Sequence, residues 1–129
     1  MGLYTNGESA EQAYTADPLT VSGTLAFTLY EFDFWDASDV FTVTVGGIQR
    51  FSGNLPDPFS GGCSGDVCVS GGTPSNVGLG LMADRTFNFS ITLPTPPVGS
   101  GTLSVRFEFK SVTAGGTRAI DNLSLNLSC

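Results

Sequence analysis

Residues 25–45, LAFTLYEFDFWDASDVFTVTV, decide the fold class of this 129-residue chain. The stretch begins and ends with alternating apolar and polar residues, which is the pattern of a strand with one buried face. Between the two alternating parts, four carboxylates lie among four aromatic rings. Because a buried carboxylate must be neutralised, paired or bound to a metal, these acids are expected to have a partner.

The same alternation recurs in three later segments, 86–94, 102–110 and 121–128, whose apolar residues share one face. Further strands are expected near 19–34, 40–46, 48–52 and 77–82. Helical periodicity is nearly absent, so the pattern predicts an all-β, antiparallel β-sandwich. A jelly-roll type is favoured over an immunoglobulin type, because the chain lacks two core cysteines that flank a tryptophan.

The length predicts one domain. We expect an N-terminal arm at 1–18, a single sandwich domain at 19–129, and a long Gly-rich loop at 53–76. The arm could fold on its own domain or add a strand to the sheet edge of a neighbouring copy. No signal peptide is recognisable, and no apolar run approaches the ~20 residues that span a bilayer.

The charge balance restricts the function. Acids outnumber bases 12 to 5, for a net charge of −7. This balance argues against nucleic acid and anionic lipid as partners, and it is compatible with divalent cations that prefer oxygen ligands. The chain has no histidine, so a Ser-His-Asp or Cys-His catalytic device is impossible. A paired-carboxylate glycosidase is formally allowed, but the acids cluster in one segment, and we expect a protein that is not an enzyme.

Cys63 and Cys68 lie in the Gly-rich loop, and Cys129 is the last residue. A Cys63–Cys68 disulfide is the favoured prediction; two free thiols, or pairing of either residue with Cys129, are the alternatives. A zinc site is not expected, because three thiolates without histidine cannot complete a tetrahedral site. The favoured disulfide indicates an oxidising, extracellular setting.

Three N-x-S sequons begin at Asn88, Asn122 and Asn126. The alternation puts all three asparagines on the polar faces of their strands. They are therefore candidate glycosylation sites that would not disturb the core. The alternative is that they are ordinary polar strand residues.

The acidic strand end allows two interpretations. Counting from Leu25, the inward face continues as Glu31 and Asp33, unless a bulge swaps the faces. On the last strand, the inward set Leu123, Leu125 and Leu127 continues backwards to Asp121. The carboxylates could pair with Arg85 or Arg118, or they could bind Ca²⁺. The candidate calcium ligands are Asp33, Asp36, Asp39, Asp121 and Asn122.

The segments FDFWDASDVFTVTVGG and AIDNLSLNL resemble secreted jelly-roll modules with a D-x-W-D segment and a closing I-D-N-[VL]-S-[LV] strand. These modules are similar to carbohydrate-binding and laminin-G-like sandwiches and to repeat modules of microbial and algal surface proteins. The resemblance covers about half of the chain. It implies a structural Ca²⁺ between the Asp33/Asp36 segment and Asp121. The chain departs from the pattern at TAGGTRA, where Arg118 stands near the position of an acidic pair, so a salt bridge could replace the metal.

We expect a non-enzymatic, calcium-stabilised extracellular module for carbohydrate binding or cell-surface adhesion. Sugar recognition usually needs exposed aromatic rings, and the candidates are Trp35, Tyr30 and Phe59. Trp35 could instead cover the end of the sandwich as a hydrophobic plug. The alternative function is a structural subunit of an extracellular filament, sheath or repeat array, whose partners would be copies of the chain itself.

Overall fold

The computed structural model describes residues 3–4, 9–16, 22–32, 40–54, 61–72, 85–94, 101–110 and 117–128. Almost all of these residues lie in ten strands, and none of them lies in a helix. The strands are β1 Leu3–Tyr4, β2 Ser9–Thr15, β3 Ser22–Phe32, β4 Val40–Val45, β5 Ile48–Gly53, β6 Gly62–Ser64, β7 Val67–Gly71, β8 Arg85–Leu93, β9 Thr102–Lys110 and β10 Thr117–Ser128.

The strands form two antiparallel sheets. The six-stranded sheet has the order β1-β10-β3-β8-β7-β6, and the four-stranded sheet has the order β2-β9-β4-β5. The sheets pack together as a β-sandwich, which confirms the all-β prediction. The edge strands β5 and β6 lie on the same side of the sandwich, since residues of both line one cleft between the sheets.

The core lies between the sheets and follows the alternation of the sequence. On β8, the buried residues are Phe87, Phe89, Ile91 and Leu93, and the residues that alternate with them, Asn88, Ser90 and Thr92, are exposed. Strand β9 repeats this pattern with Leu103, Val105, Phe107 and Phe109. Phenylalanine rings from both sheets meet at the centre, where Phe41 lies within 6.1 Å of five other rings. The apolar residues at every second position of these strands therefore form the inner faces of the two sheets.

The described parts of the N-terminal arm belong to the sandwich. Strand β1 pairs with β10 and strand β2 pairs with β9, so the arm adds one strand to an edge of each sheet. The segment 53–76, which we expected to be a loop, contains the β6–β7 hairpin, and β7 pairs with β8. The strand expected at 77–82 lies outside the described residues.

A β-bulge in β10 overturns the inward position expected for Asp121. Asp121 pairs with Thr28 and Ser124 pairs with Ala26, so β10 holds one residue more than β3 across this interval. Asn122 has a φ of 53°, a left-handed conformation that asparagine tolerates better than most residues. The extra residue reverses the parity, so Ile120 is buried and Asp121 is exposed.

Gly71, at the end of β7, is expected to be intolerant of a side chain. Its φ is 96°, and an added Cβ would collide with the carbonyl oxygen of Thr86. We expect Gly71→Ala to lower the free energy of unfolding by about 2–4 kcal/mol, because backbone strain and overpacking add. Gly47, with a φ of 82° and no atom within 4 Å of its added Cβ, is the matched control. Gly47→Ala should cost only the strain, about 1–2 kcal/mol. Equal costs in urea denaturation would contradict the collision.

Candidate functional site

The acidic end of β3 holds a buried ion pair. Glu31 and Arg85 are each 2% exposed, and the Arg85 Nη2 lies 3.0 Å from Glu31 Oε1. Arg85 donates from Nε to Oε1 at 3.1 Å, and from Nη2 to both carboxylate oxygens at 3.0 Å. The guanidinium also lies 5.0 Å from the centre of the Phe87 ring. The ion-pair interpretation therefore holds for Glu31, and it explains why the apolar stripe of β3 ends in an acid.

Arg118 completes a row of buried ionic residues. It is opposite Glu31 in the β10–β3 register, and Arg85 is opposite Glu31 in the β3–β8 register. Arg118 is 1% exposed. Three adjacent strands thus contribute Arg118, Glu31 and Arg85 to the inner face at one end of the sandwich. All three side chains are at most 2% exposed, so this row is not accessible from the solvent.

The calcium ligands suggested by the sequence are only partly described. Asp33, Asp36 and Asp39 lie outside the described residues. Asp121 is exposed, and its Oδ1 accepts a hydrogen bond from the Asn122 backbone N–H at 2.8 Å. Across the described part of the chain, no group of three or more acidic, cysteine or histidine residues could hold a metal ion. Asp121 and Asn122 therefore offer oxygen atoms on the outer face, away from the Glu31 ion pair.

The outer face of the six-stranded sheet carries a hydrogen-bonded row of amides and hydroxyls. Asn122 Nδ2 donates to Thr28 Oγ1 at 3.2 Å, and Thr28 Oγ1 donates to Asn88 Oδ1 at 3.1 Å. Asn88, Asn122 and Asn126, the three sequon asparagines, are all exposed. A glycan attached to any of these three side chains would not displace core residues.

Cys63 and Cys68 form a disulfide across the β6–β7 hairpin. They are directly opposite each other in the hairpin register. The hairpin is fastened to β8 at both ends, since Thr92 N donates to Asp66 O and Gly72 N donates to Thr86 O, each at 2.8 Å. Cys129 lies outside the described residues. The disulfide therefore links β6, the terminal strand of the six-stranded sheet, to its neighbour β7.

Reduction of this disulfide is expected to destabilise the protein moderately. The bridged residues are five positions apart, and the chain-entropy relation gives about 2 kcal/mol for so short a loop. Urea denaturation of the Cys63→Ser/Cys68→Ser variant should show this loss, and Cys129→Ser provides a control that keeps the disulfide. An unchanged unfolding midpoint in the double variant would contradict the prediction.

A cleft with a volume of about 530 Å³ lies between the two sheets at the β5–β6 side. We call it the Arg50 cleft; its lining residues are Arg50, Phe51, Ser52, Gly61, Gly62, Cys63, Ser64, Val67 and Val69. The apolar part of the lining is the half-buried Phe51 together with Val67 and Val69. Ser64 adds a hydroxyl group to the lining, whereas the Ser52 Oγ is hydrogen-bonded to Thr42 Oγ1 at 3.0 Å. The volume lies within the range of small-molecule sites.

A second β-bulge directs Arg50 into this cleft. Val43 pairs with Phe51 and Thr44 pairs with Gln49, so Arg50 is the extra residue of β5. A bulge re-aims a side chain relative to strict alternation, and Arg50 lines the same cleft as its neighbour Phe51. Simple alternation could not have found this residue. Its one signal in the sequence is a cation between the apolar residues Ile48 and Phe51.

The ligand-binding residues expected from the sequence do not form this cleft. Trp35 and Phe59 lie outside the described residues. Tyr30 is half-buried on β3 and is not among the described lining residues. The described cleft thus differs from the aromatic platform that the sequence suggested.

Comparison with known proteins gives no family for this chain: no protein-family model, no curated protein and no solved structure matches it. In the described region there is no helix with the length and hydropathy that a membrane crossing requires.

Proposed function

We propose that this protein is a non-enzymatic extracellular module that binds carbohydrate in the Arg50 cleft, in support of adhesion at a cell surface. The observation that carries the proposal is the composition of the cleft. Its lining combines an apolar patch with hydroxyl and guanidinium donors, and a sugar ring offers the matching C–H face and hydroxyl groups. A few polar groups placed around an apolar surface is the general design of small-ligand sites.

We further propose that the sandwich is a jelly roll of the carbohydrate-binding and laminin-G-like group. The strand order supports this assignment. Except for β4 and β5, consecutive strands of the chain alternate between the four-stranded arrays β1-β10-β3-β8 and β2-β9-β4-β5 in the order expected for two Greek keys. In this interpretation the β6–β7 hairpin extends the first sheet beyond β8. The sequence resemblance at residues 25–47 and 119–127 also supports the assignment.

An extracellular location is supported by the disulfide, since disulfides persist in oxidising compartments. The exposed sequons at Asn88, Asn122 and Asn126 fit a glycoprotein. Glycans there would cover the outer face of the six-stranded sheet and leave the Arg50 cleft open at the sandwich edge. Mass spectrometry of the secreted protein, before and after enzymatic deglycosylation, tests the modification.

Structural calcium is a proposal that now rests on the sequence motif and on Asp121. The Glu31–Arg85 pair already satisfies the first inward carboxylate of β3. Bound Ca²⁺ would stabilise the native state by mass action, so Ca²⁺ is expected to raise Tm and EDTA to reverse the increase. Asp33→Ala or Asp121→Ala should remove the increase, whereas Asp66→Ala, in the β6–β7 turn, should keep it. A Tm that is insensitive to Ca²⁺ and EDTA would reject the metal.

A glycan array is the test of carbohydrate binding. We expect the protein to retain one class of oligosaccharide, and Ser64→Trp, which fills the cleft from the exposed hairpin, to reduce binding at least about tenfold. Ser128→Trp, an exposed position on the outer face of β10, is the matched control and should bind normally. Failure of the unmodified protein to retain any glycan, or equal binding by Ser64→Trp, would overturn the proposal.

A second candidate, a self-associating structural subunit, is favoured by the edge of β2 that pairs with no strand in the described residues. Strand β2 is the terminal strand of its sheet, and five of its seven residues are exposed, Ser9, Glu11, Gln12, Ala13 and Thr15. It contains no lysine, proline or bulge of the kind that protects edge strands. Antiparallel pairing of two copies about Gln12 would put Tyr14 opposite Ala10 and keep the Glu11 residues apart.

Size-exclusion chromatography over a range of concentrations distinguishes the two candidates. Self-association that Gln12→Lys abolishes would support the structural subunit, and a monomer at all concentrations would reject it. Partial burial already raises the pKa of Tyr14 above 10.0. Pairing should raise this pKa further, which absorbance titration at low and high protein concentration can detect.

A further inference from the structure

We infer that the ligand of the Arg50 cleft is an acidic sugar, whose ring carboxylate binds the guanidinium of Arg50. This inference rests on the proposed carbohydrate-binding function and specifies its ligand class. Among the described residues that line the cleft, Arg50 carries the only charge. The described lining therefore carries a positive charge at its polar end, although the whole chain has a net charge of −7.

Arg50 has a buried hydrogen-bond donor that is not satisfied within the described residues. Its Nε is buried and has no hydrogen-bond partner in the described part of the protein. Other arginines on these strands do have acidic neighbours: Arg85 binds Glu31, and the exposed Arg106 lies 3.4 Å from Glu108. A buried donor without a partner is costly, and a bound acceptor at this position would remove that cost. A carboxylate is the acceptor whose geometry matches the planar guanidinium.

The neighbouring residues favour a sugar as the carrier of that carboxylate. Next to Arg50, the Phe51 ring and the side chains of Val67 and Val69 offer an apolar surface, and Ser64 offers a hydroxyl group. A uronic acid ring presents a carboxylate, several hydroxyl groups and an apolar C–H face within one unit. A simple inorganic anion would leave most of the 530 Å³ cleft unused.

The net charge of the chain further restricts the class of acidic ligand that can bind. A net charge of −7 opposes association with a densely charged polyanion. With one cation in the described lining, the cleft suits a single carboxylate at a time. Sulfated or phosphorylated chains that require clusters of basic residues do not fit this arrangement. The expected ligand is therefore an uronic acid unit in a short or sparsely charged oligosaccharide.

The test compares an acid with its neutral ester. Isothermal titration calorimetry would use trigalacturonate and its methyl ester, which differ in charge but share the sugar rings. We expect the acid to bind at least about tenfold more tightly than the ester, the range of a charge-assisted hydrogen bond. Arg50→Gln should remove this difference, and Arg50→Lys should retain part of it because the charge remains without the fork geometry. Arg106→Gln, an exposed arginine on β9, is the control and should bind as the unmodified protein does.

The possible results distinguish failure of the acidic-ligand inference from failure of carbohydrate binding itself. A fall of the acid affinity to that of the ester in Arg50→Gln, with a normal melting curve and unchanged ester binding, supports the inference. Equal affinity for acid and ester, or binding of neutral glycans alone, overturns the acidic ligand and leaves carbohydrate binding intact. Absence of binding to acid, ester and the whole glycan array overturns both. Acid binding that Arg50→Gln does not change also overturns the inference, because the carboxylate would then lie elsewhere.

Discussion

Replacing Glu31 with alanine is expected to lower the free energy of unfolding by about 3–5 kcal/mol, because it leaves buried positive charge without its carboxylate. Arg85 makes three hydrogen bonds to Glu31 at 3.0–3.1 Å, and both side chains are almost inaccessible to water. Arg118 lies opposite Glu31 on the other side. The loss would be measured by urea denaturation, with the slope checked for unchanged two-state behaviour.

The matched control is Glu108→Ala on β9. Glu108 also lies near an arginine, 3.4 Å from Arg106, but both side chains are nearly half exposed. Exposed pairs contribute little, so this variant should lose less than about 1 kcal/mol. The double variant Glu31→Ala/Arg85→Met should be more stable than Glu31→Ala, because it removes one uncompensated charge. A Glu31→Ala variant as stable as the control would show that the ion pair is unimportant.

The second large effect is expected at the centre of the core, where Phe41→Ala should cost about 3–5 kcal/mol. Phe41 is completely buried and lies 5.2 Å from Phe109 and 5.5 Å from Phe89, measured between ring centres. Its ring joins phenylalanines of both sheets, so its removal opens a cavity at the interface that holds the sandwich together. Thermal and urea denaturation would measure the loss.

Ile48→Ala is the control for the Phe41 variant. Ile48 follows the β4–β5 turn and is 44% exposed, so its truncation should cost less than about 1 kcal/mol. If Phe41→Ala were to cost no more than Ile48→Ala, the aromatic cluster would not be the centre of the core.

The sequence predicted the sheets well wherever local alternation alone determines burial. On β8 and β9 every second residue is apolar, and the structure buries those residues. Glu31 was placed inward by the same counting, and Arg85 was one of two cations named as its partner. The counting could not choose between Arg85 and a metal, because that choice depends on which strand pairs with β3.

The sequence was misleading where the chain departs from strict alternation. The bulge at Asn122 turned Asp121 outward, and the bulge at Arg50 turned a cation into the cleft. A bulge adds one residue to one strand relative to its partner, so it is a property of the pair and not of either strand alone. The β6–β7 hairpin was missed because glycine, serine and cysteine dominate its sequence and resemble a loop.

By itself, the sequence determined the fold class, the inner faces of the main strands and the acidic end of β3, because side-chain alternation is local and the backbone geometry enforces it. Tertiary structure alone decided the order of the strands in each sheet, the partner of Glu31 and the exposure of Asp121. It also decided that Arg50 faces a cleft between two sheet edges. These features depend on registers between segments far apart in the chain, such as Glu31 and Arg85, and no local pattern encodes such a register.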